Sequence, residues 1–208
     1  MAKKRKVKGK KIFILLFVCV ILIISLMFVF KHNKKKPLAS EVEVIDSIDN
    51  FSYQLNDNET KYYNELFSNL KELLSSDDYS EEDYASIIGK LFLADFYDLN
   101  SKVMKSDVGG TQFVYEPYRG DFELGAIDTI YKFVESNVYG DRKQNLPVVK
   151  SVDVTNISNG KYSYGSDTDT NAFYLDFNIV YEKDLGYPST VSLVLVHVND
   201  KLEIVEME

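Results

Sequence analysis

The chain has 208 residues, with 24 Lys and Arg against 32 Asp and Glu, two histidines, one cysteine and a net charge of −8. The lone cysteine, Cys19, lies near the start, which excludes disulfides, thiol nucleophiles and cysteine zinc sites from everything after it. All the acids lie beyond residue 36, where they face thirteen basic residues; that net of −19 excludes nucleic acid as a partner of this part of the chain.

Residues 12–30, IFILLFVCVILIISLMFVF, carry no charge. At about 1.5 Å rise per residue they reach roughly 28 Å as a helix, close to the hydrocarbon thickness of a bilayer. Seven basic residues precede the run, ending in Lys10 and Lys11, and Lys31, Lys34, Lys35 and Lys36 follow it. The richer side stays in the cytoplasm, so the pattern predicts a basic cytoplasmic tail over 1–11, a transmembrane helix over 12–30 and a domain outside. Lys3-Lys4-Arg5-Lys6-Val7 has the look of a nuclear localisation signal, but it abuts the span, and anionic lipid headgroups are the better partner for it. The apolar core runs straight into Lys31-His32-Asn33-Lys34 without a small-residue cleavage site, which predicts an uncleaved anchor. Cys19 follows Leu16-Phe17-Val18 and reads as a membrane residue, not a lipidation site. Heavy use of Lys, Asn, Ile, Tyr and Asp suits an AT-rich bacterium, and the short basic tail looks bacterial.

Residues 31–50 read as a linker, basic first and then broken by Pro37, and 51–208 as a single extracytoplasmic domain. From Thr60 to Leu74, Tyr63, Leu66, Phe67, Leu70, Leu73 and Leu74 recur at helical spacing. Ser80-Glu81-Glu82-Asp83 is an N-cap with acids in the first turn, opening a helix that carries Tyr84, Ile87, Ile88, Leu91, Phe92 and Phe96. Gly109-Gly110 marks a turn. A third helix is expected from Asp121 to Asn137, with Ile127, Ile130, Tyr131 and Val134 on one face and Gly125 as its weak point.

The period then changes. Val148, Val152, Val154 and Ile157 begin a strand, and Asn159-Gly160 with the Ser/Asp/Thr-rich stretch 163–171 reads as a loop. Phe173, Leu175, Phe177, Ile179 and Tyr181 alternate with Tyr174, Asp176, Asn178 and Val180 as in a half-buried strand. Thr190–Val198 is nearly continuous in Val and Leu, the pattern of a central strand covered on both faces. Asn199-Asp200 turns into a last strand with Leu202, Ile204 and Val205. The expected class is α+β: a single transmembrane helix, then about three helices packed on a curved antiparallel sheet of about four strands.

This order of helices before a bent sheet resembles the nuclear-transport-factor-2-like cone. With the basic tail, single span and outside domain, the layout resembles the bitopic scaffold subunits of type IV secretion and conjugation machines. The resemblance covers residues 1–208 in layout and has no diagnostic motif. It implies a protein that assembles others and has no catalysis of its own.

Asp167-Thr168-Asp169-Thr170-Asn171 starts like a calcium loop, but Ala172 and Asn178 stand where glycine and a bidentate Glu belong, so it reads as a solvated hairpin. His197, at the end of a Val-rich strand, reads as a hydrogen-bonded structural histidine; no G-x-S-x-G nucleophile accompanies it. Asp95, Asp98, Asp107, Glu116, Asp121, Glu123 and Asp128 offer carboxylates for acid–base work, with surface solvation as the default. The stretch from Asp107 to Arg119 combines aromatics with an arginine, residue types that anchor interfaces. Its glycine pair lacks the setting of a phosphate loop. The candidate interface is Phe113, Tyr115, Glu116, Tyr118 and Arg119; the competing reading has the Tyr and Phe plugging the core. The expectation is a non-catalytic interaction or scaffold module needing no cofactor, with membrane lipid, other envelope proteins or a second copy as partners. The alternative is a cone that binds a small molecule or peptide, or hydrolyses it through its carboxylates.

Overall fold

The computed structural model describes residues 42–76 and 78–208. The expected span at 12–30 and its flanking Lys10, Lys11, Lys31 and Lys34 lie outside the described residues. Among those described, no helix is long and apolar enough to cross a membrane.

The chain enters through a small antiparallel hairpin, β1 (Val44–Ile48) and β2 (Tyr53–Asn56), paired at Ile48↔Tyr53. Its connection is a 3₁₀ turn, Asp49–Phe51, closed by Ser52 at φ 55°. The linker expected to run to residue 50 thus ends earlier. Tyr53 and Leu55 are buried while Gln54 is exposed, an alternation too short to stand out in the sequence.

Helix α1 (Lys61–Leu74) falls where the apolar spacing places it and is capped by Thr60, whose side chain accepts from the Tyr63 N–H at 3.1 Å. Helix α2 (Glu81–Phe96) is capped by Ser80, which accepts from the Asp83 N–H. Nine of its residues are buried, so α2 is the central helix, wedged between α1 and the sheet.

Helix α3 is shorter than expected. It spans Arg119–Asp128 and stops at Thr129, whose φ −119° and ψ −97° are not helical. Gly125 lies inside it and does not break it. The break comes from Tyr131, which leaves the helical path to bury its ring completely and donate its Oη to the Phe96 carbonyl at 2.6 Å. A buried phenol needs such an acceptor, and tertiary packing overrides the local periodicity.

The second half is a four-stranded antiparallel meander in the order β3 (Val149–Tyr164), β4 (Asp167–Tyr181), β5 (Thr190–Val198), β6 (Lys201–Met207). The loop expected at 159–160 and 163–171 is instead strand. Pairing continues to Tyr164↔Asp167, and the turn is confined to Gly165-Ser166, with Gly165 at φ 54°. Polar residues are tolerated there because this end of the ribbon is largely solvated. Register shifts near Thr155 and Lys161 bend and twist β3. Central β5 buries Leu193 through Val196 consecutively, as expected of a strand covered on both faces.

The three helices pack on one side of this sheet around a single large core. On the other side Ala172, Val194 and Val196 form a smaller cluster, sheltered by Tyr162, Tyr164, Tyr174, Val198 and Val205.

Candidate functional site

The candidate interface splits into a buried and an exposed part. Phe113 is fully buried and packs against Tyr53 at 5.5 Å between ring centroids, so it cannot meet a partner; the core-plugging reading holds for this residue. Val114 pairs in parallel with Ile204, and the Tyr115 N–H donates to the Ile204 carbonyl at 2.9 Å. This contact covers part of the β6 edge. From there a 3₁₀ turn, Glu116–Tyr118, brings the chain to the surface. Tyr115 meets Tyr118 and Tyr164 edge-on, at 5.1 and 5.2 Å. Glu116 is exposed, and Tyr118 and Arg119 are half-buried.

Tyr115, Tyr118, Tyr162, Tyr164 and Tyr174 therefore make a half-buried tyrosine surface beside the smaller cluster. Carboxylates thread through it. Tyr162 donates its Oη to Glu206. Burial, followed by that bond, pushes the Tyr162 phenol up to about 12. Burial also raises the Glu203 carboxyl, against the Glu116 N–H, Lys201 and Arg119. The Arg119 guanidinium donates to the Val114 carbonyl at 3.3 Å, while its Nε and Glu203 Oε2 are buried with no hydrogen-bond partner among the described residues.

A second polar centre lies where α2 ends. Lys102, its side chain 8 % exposed, is ion-paired with Asp95. The other Asp95 oxygen accepts the Gly110 N–H at 2.6 Å, and the Gly109 N–H donates to Tyr131 Oη at 3.1 Å. The glycine pair is required by this approach: a Cβ on Gly109 would sit 2.4 Å from the Asp95 carbonyl oxygen, and Gly110 has φ +76°. Burial works to lower the Lys102 ammonium, but Asp95, Tyr131 and Glu59 hold it above its ordinary value. Burial, then the charge of Asp95, pushes the Glu59 carboxyl up to about 8.

A cavity of about 390 Å³ opens here, lined by Asn58, Glu59, Asp95, Lys102, Asp107 and Gln112 among others. Of the carboxylates singled out in the sequence it gathers Asp95 and Asp107; Glu116, Asp121, Glu123 and Asp128 do not line it. Asp98, 2 % exposed, instead ties α2 to β3 by accepting the Val149 and Ser101 N–H groups at 2.9 and 3.1 Å. Lys102 and Glu59 escaped sequence reasoning, because their shared environment comes from segments about forty residues apart. The one available signal was Gly109-Gly110, whose role is to admit the Asp95 carboxylate.

His197 sits at the end of β5 with its ring Nδ1 and backbone N–H both on Asp169, a hydrogen-bonded histidine as expected. The stretch 167–171 is strand, and the Asp169 carboxylate is occupied by His197 and Asn171. Among the described residues no group of three or more His, Cys, Asp or Glu is placed to hold a metal ion. No protein-family model, curated protein or solved structure shows significant similarity to the chain.

Proposed function

We propose that this chain is a membrane-anchored scaffold module of the bacterial envelope, whose outer α+β domain docks other envelope proteins or a second copy of itself. The observation that carries this reading is the half-buried tyrosine surface of Tyr115, Tyr118, Tyr162, Tyr164 and Tyr174, rimmed by Glu116 and Glu206. Tyrosine supplies large amphipathic contact area at little entropic cost and is enriched at interfaces. The interior between helices and sheet favours the same reading: Phe92, Phe96, Phe113, Tyr131 and Phe177 fill the space a cone would need for a deep pocket. The uncharged run at 12–30 and the excess of Lys and Arg before it support the anchor and the outward placement of the domain. The arrangement of helices and sheet is compatible with the cone-fold scaffold subunits that the layout resembles.

In-cell crosslinking from a photoreactive residue at Glu116, followed by mass spectrometry, tests the proposal. Crosslinked envelope proteins or homodimers are the expected products. Recovery of uncrosslinked monomer alone, with the same residue at Glu72 on α1 as reference, counts against an assembly role.

A binding-module reading is favoured by one feature, the convergence of Glu59, Asp95 and Asp107 on the 390 Å³ cavity. Its opening to solvent and the pairing of Asp95 with Lys102 leave Glu59 and Asp107 as the groups a small ligand would meet.

A further inference from the structure

Phe133 is the most exposed large apolar side chain among the described residues, 76 % open to solvent, and Tyr139 is 55 % open. Both stand on the segment between α3 and β3, residues 129–148, and that segment is firmly held. Tyr131 and Val134 are buried on either side of Phe133. The Gln144 side chain bridges the loop, donating to the Phe133 carbonyl at 2.8 Å and accepting the Glu135 N–H at 2.9 Å. The Arg142 guanidinium donates to the carbonyls of Asn100 and Lys102 at 2.7 and 2.8 Å. The Asn137 N–H donates to the Val103 carbonyl at 2.7 Å. The Phe133 ring is thus displayed by an ordered loop, and a large apolar group fixed in the open marks a surface that something covers.

Charge and position both point to lipid as the cover. Residues 129–148 hold Lys132, Arg142 and Lys143 against Glu135 and Asp141, whereas the rest of 37–208 holds ten bases against thirty acids. Lys132 and Lys143 are exposed, and Lys132 Nζ lies 5.6 Å from the centroid of the Phe133 ring. A lysine beside an open aromatic ring suits the headgroup level of a bilayer, where the ring enters the interface and the ammonium meets phosphate. The chain also enters the domain at this end. Val42, the first described residue, lines a cavity with Lys102, Asp107 and Val108, and the loop is bonded to Lys102 and Val103. Val42, Val44 and Ile45 are themselves exposed apolar residues. Only residues 31–41 separate the uncharged run from Val42, and fully extended they reach about 40 Å at most. From the loop, β3 leads away for sixteen residues, so Ser163 lies roughly 45 Å farther along the strand.

We propose that the 129–148 loop docks on the surface of the membrane that carries the anchor, with Phe133 and Tyr139 entering the interface and Lys132 and Lys143 meeting anionic headgroups. This rests on the anchor reading above and adds an orientation to it. The loop turns the least acidic part of the domain to the lipid, which suits a surface that repels the rest. The tip of the β3–β4 ribbon, with Tyr162 and Tyr164, then stands clear of the bilayer, where partners can reach it.

The chain contains no tryptophan, so Phe133→Trp supplies a single reporter at an exposed aromatic position. The whole chain is reconstituted in vesicles of phosphatidylcholine and phosphatidylglycerol, with and without bromine on the acyl chains near the headgroup. Brominated lipid should quench the Phe133→Trp fluorescence and leave that of Ser163→Trp, at the far end of β3, unchanged. Lys132→Glu together with Lys143→Glu, both at exposed sites, should lessen the quenching; quenching unchanged by them overturns the part given to the lysines. Emission that is blue-shifted but unquenched would put the ring against protein, a second copy included, and overturns the lipid assignment. Equal quenching of both reporters overturns the orientation. Flotation of the same vesicles separates the two readings. A chain that floats with its Phe133→Trp reporter unquenched defeats this proposal alone, and a chain that does not float defeats the anchor and this proposal with it.

Discussion

Phe177 occupies the space beside Gly89: a Cβ on that glycine would lie 2.3 Å from Cζ of the ring. The contact sets how closely α2 approaches β4, and Phe177 is 1 % exposed, so its ring has no free direction in which to move. Gly89→Ala gains about 1 kcal/mol of helix propensity. Overpacking a core of this density costs about 1–3 kcal/mol and more when a ring must shift. A net loss on the order of 1–2 kcal/mol is expected in denaturant unfolding. In a Phe177→Leu background the same substitution should cost less; an undiminished cost there would show that the ring is not the cause.

The Asp95–Lys102 pair is largely buried, with side chains 11 % and 8 % exposed. Removing one partner of a buried ion pair leaves an uncompensated charge and costs about 3–5 kcal/mol. Lys102→Met is expected to fall in that range. Asp95→Asn leaves Lys102 unpaired but keeps an acceptor for the Gly110 N–H, whereas Asp95→Ala removes that acceptor as well and should cost more. Calorimetric unfolding of the two Asp95 variants distinguishes them, and equal losses would show that the glycine contact contributes nothing.

The raised Glu59 carboxyl makes stability depend on pH in a definite direction. From the ordinary value of 4.5 up to about 8, the folded protein holds a proton that the unfolded chain has released. Stability therefore falls as pH rises through that window and levels off above it. Glu59→Gln removes the ionisable group, so it should stabilise the protein at pH 8 by at least about 1 kcal/mol and change little near pH 4. Urea midpoints at the two pH values give the comparison. A variant that is equally shifted at both would place the effect in packing.

Legibility in the sequence followed the reach of each interaction. Helices α1 and α2 were readable because their apolar stripes are long and Ser80 caps α2 locally; the Thr60 cap of α1 went unread. Strands β4 and β5 were readable because alternation and burial on both faces are written along single strands. The end of α3 was not, since it is decided by the Phe96 carbonyl that receives Tyr131 from thirty-five residues away. The polar tip of the β3–β4 ribbon was misread because turn-forming residues there sit in a solvated ladder, where composition says little about pairing. The Lys102 centre was invisible for the same reason as Tyr131: its partners are assembled only by the fold.

Within the 113–119 stretch, burial divides structural from docking roles. Phe113→Ala empties a fully buried position and should cost about 3–5 kcal/mol. Glu116→Arg reverses an exposed charge and should change stability by no more than about 0.5 kcal/mol. If the tyrosine surface is where partners dock, only the second variant should fold normally yet lose its crosslinked products. Normal crosslinking from a reporter at Pro117 in the Glu116→Arg chain would move the interface elsewhere.

The proposed orientation rests on the charges flanking residues 12–30 and is open to a direct check. Ser163 is exposed near the tip of the β3–β4 ribbon, where its hydroxyl bonds to Thr168 at 3.0 Å, so a cysteine there should disturb little. The natural Cys19 is the only other thiol and is replaced by serine. In the Ser163→Cys, Cys19→Ser chain, a membrane-impermeant thiol reagent applied to intact cells should label as completely as it does after lysis. On the proposed reading, the seven basic residues before 12–30 outnumber the four after it, so the first end should stay in the cytoplasm and Ser163 should lie outside. Labelling that appears only after lysis would reverse the topology, put the acidic domain against the anionic leaflet and remove envelope partners from the proposal.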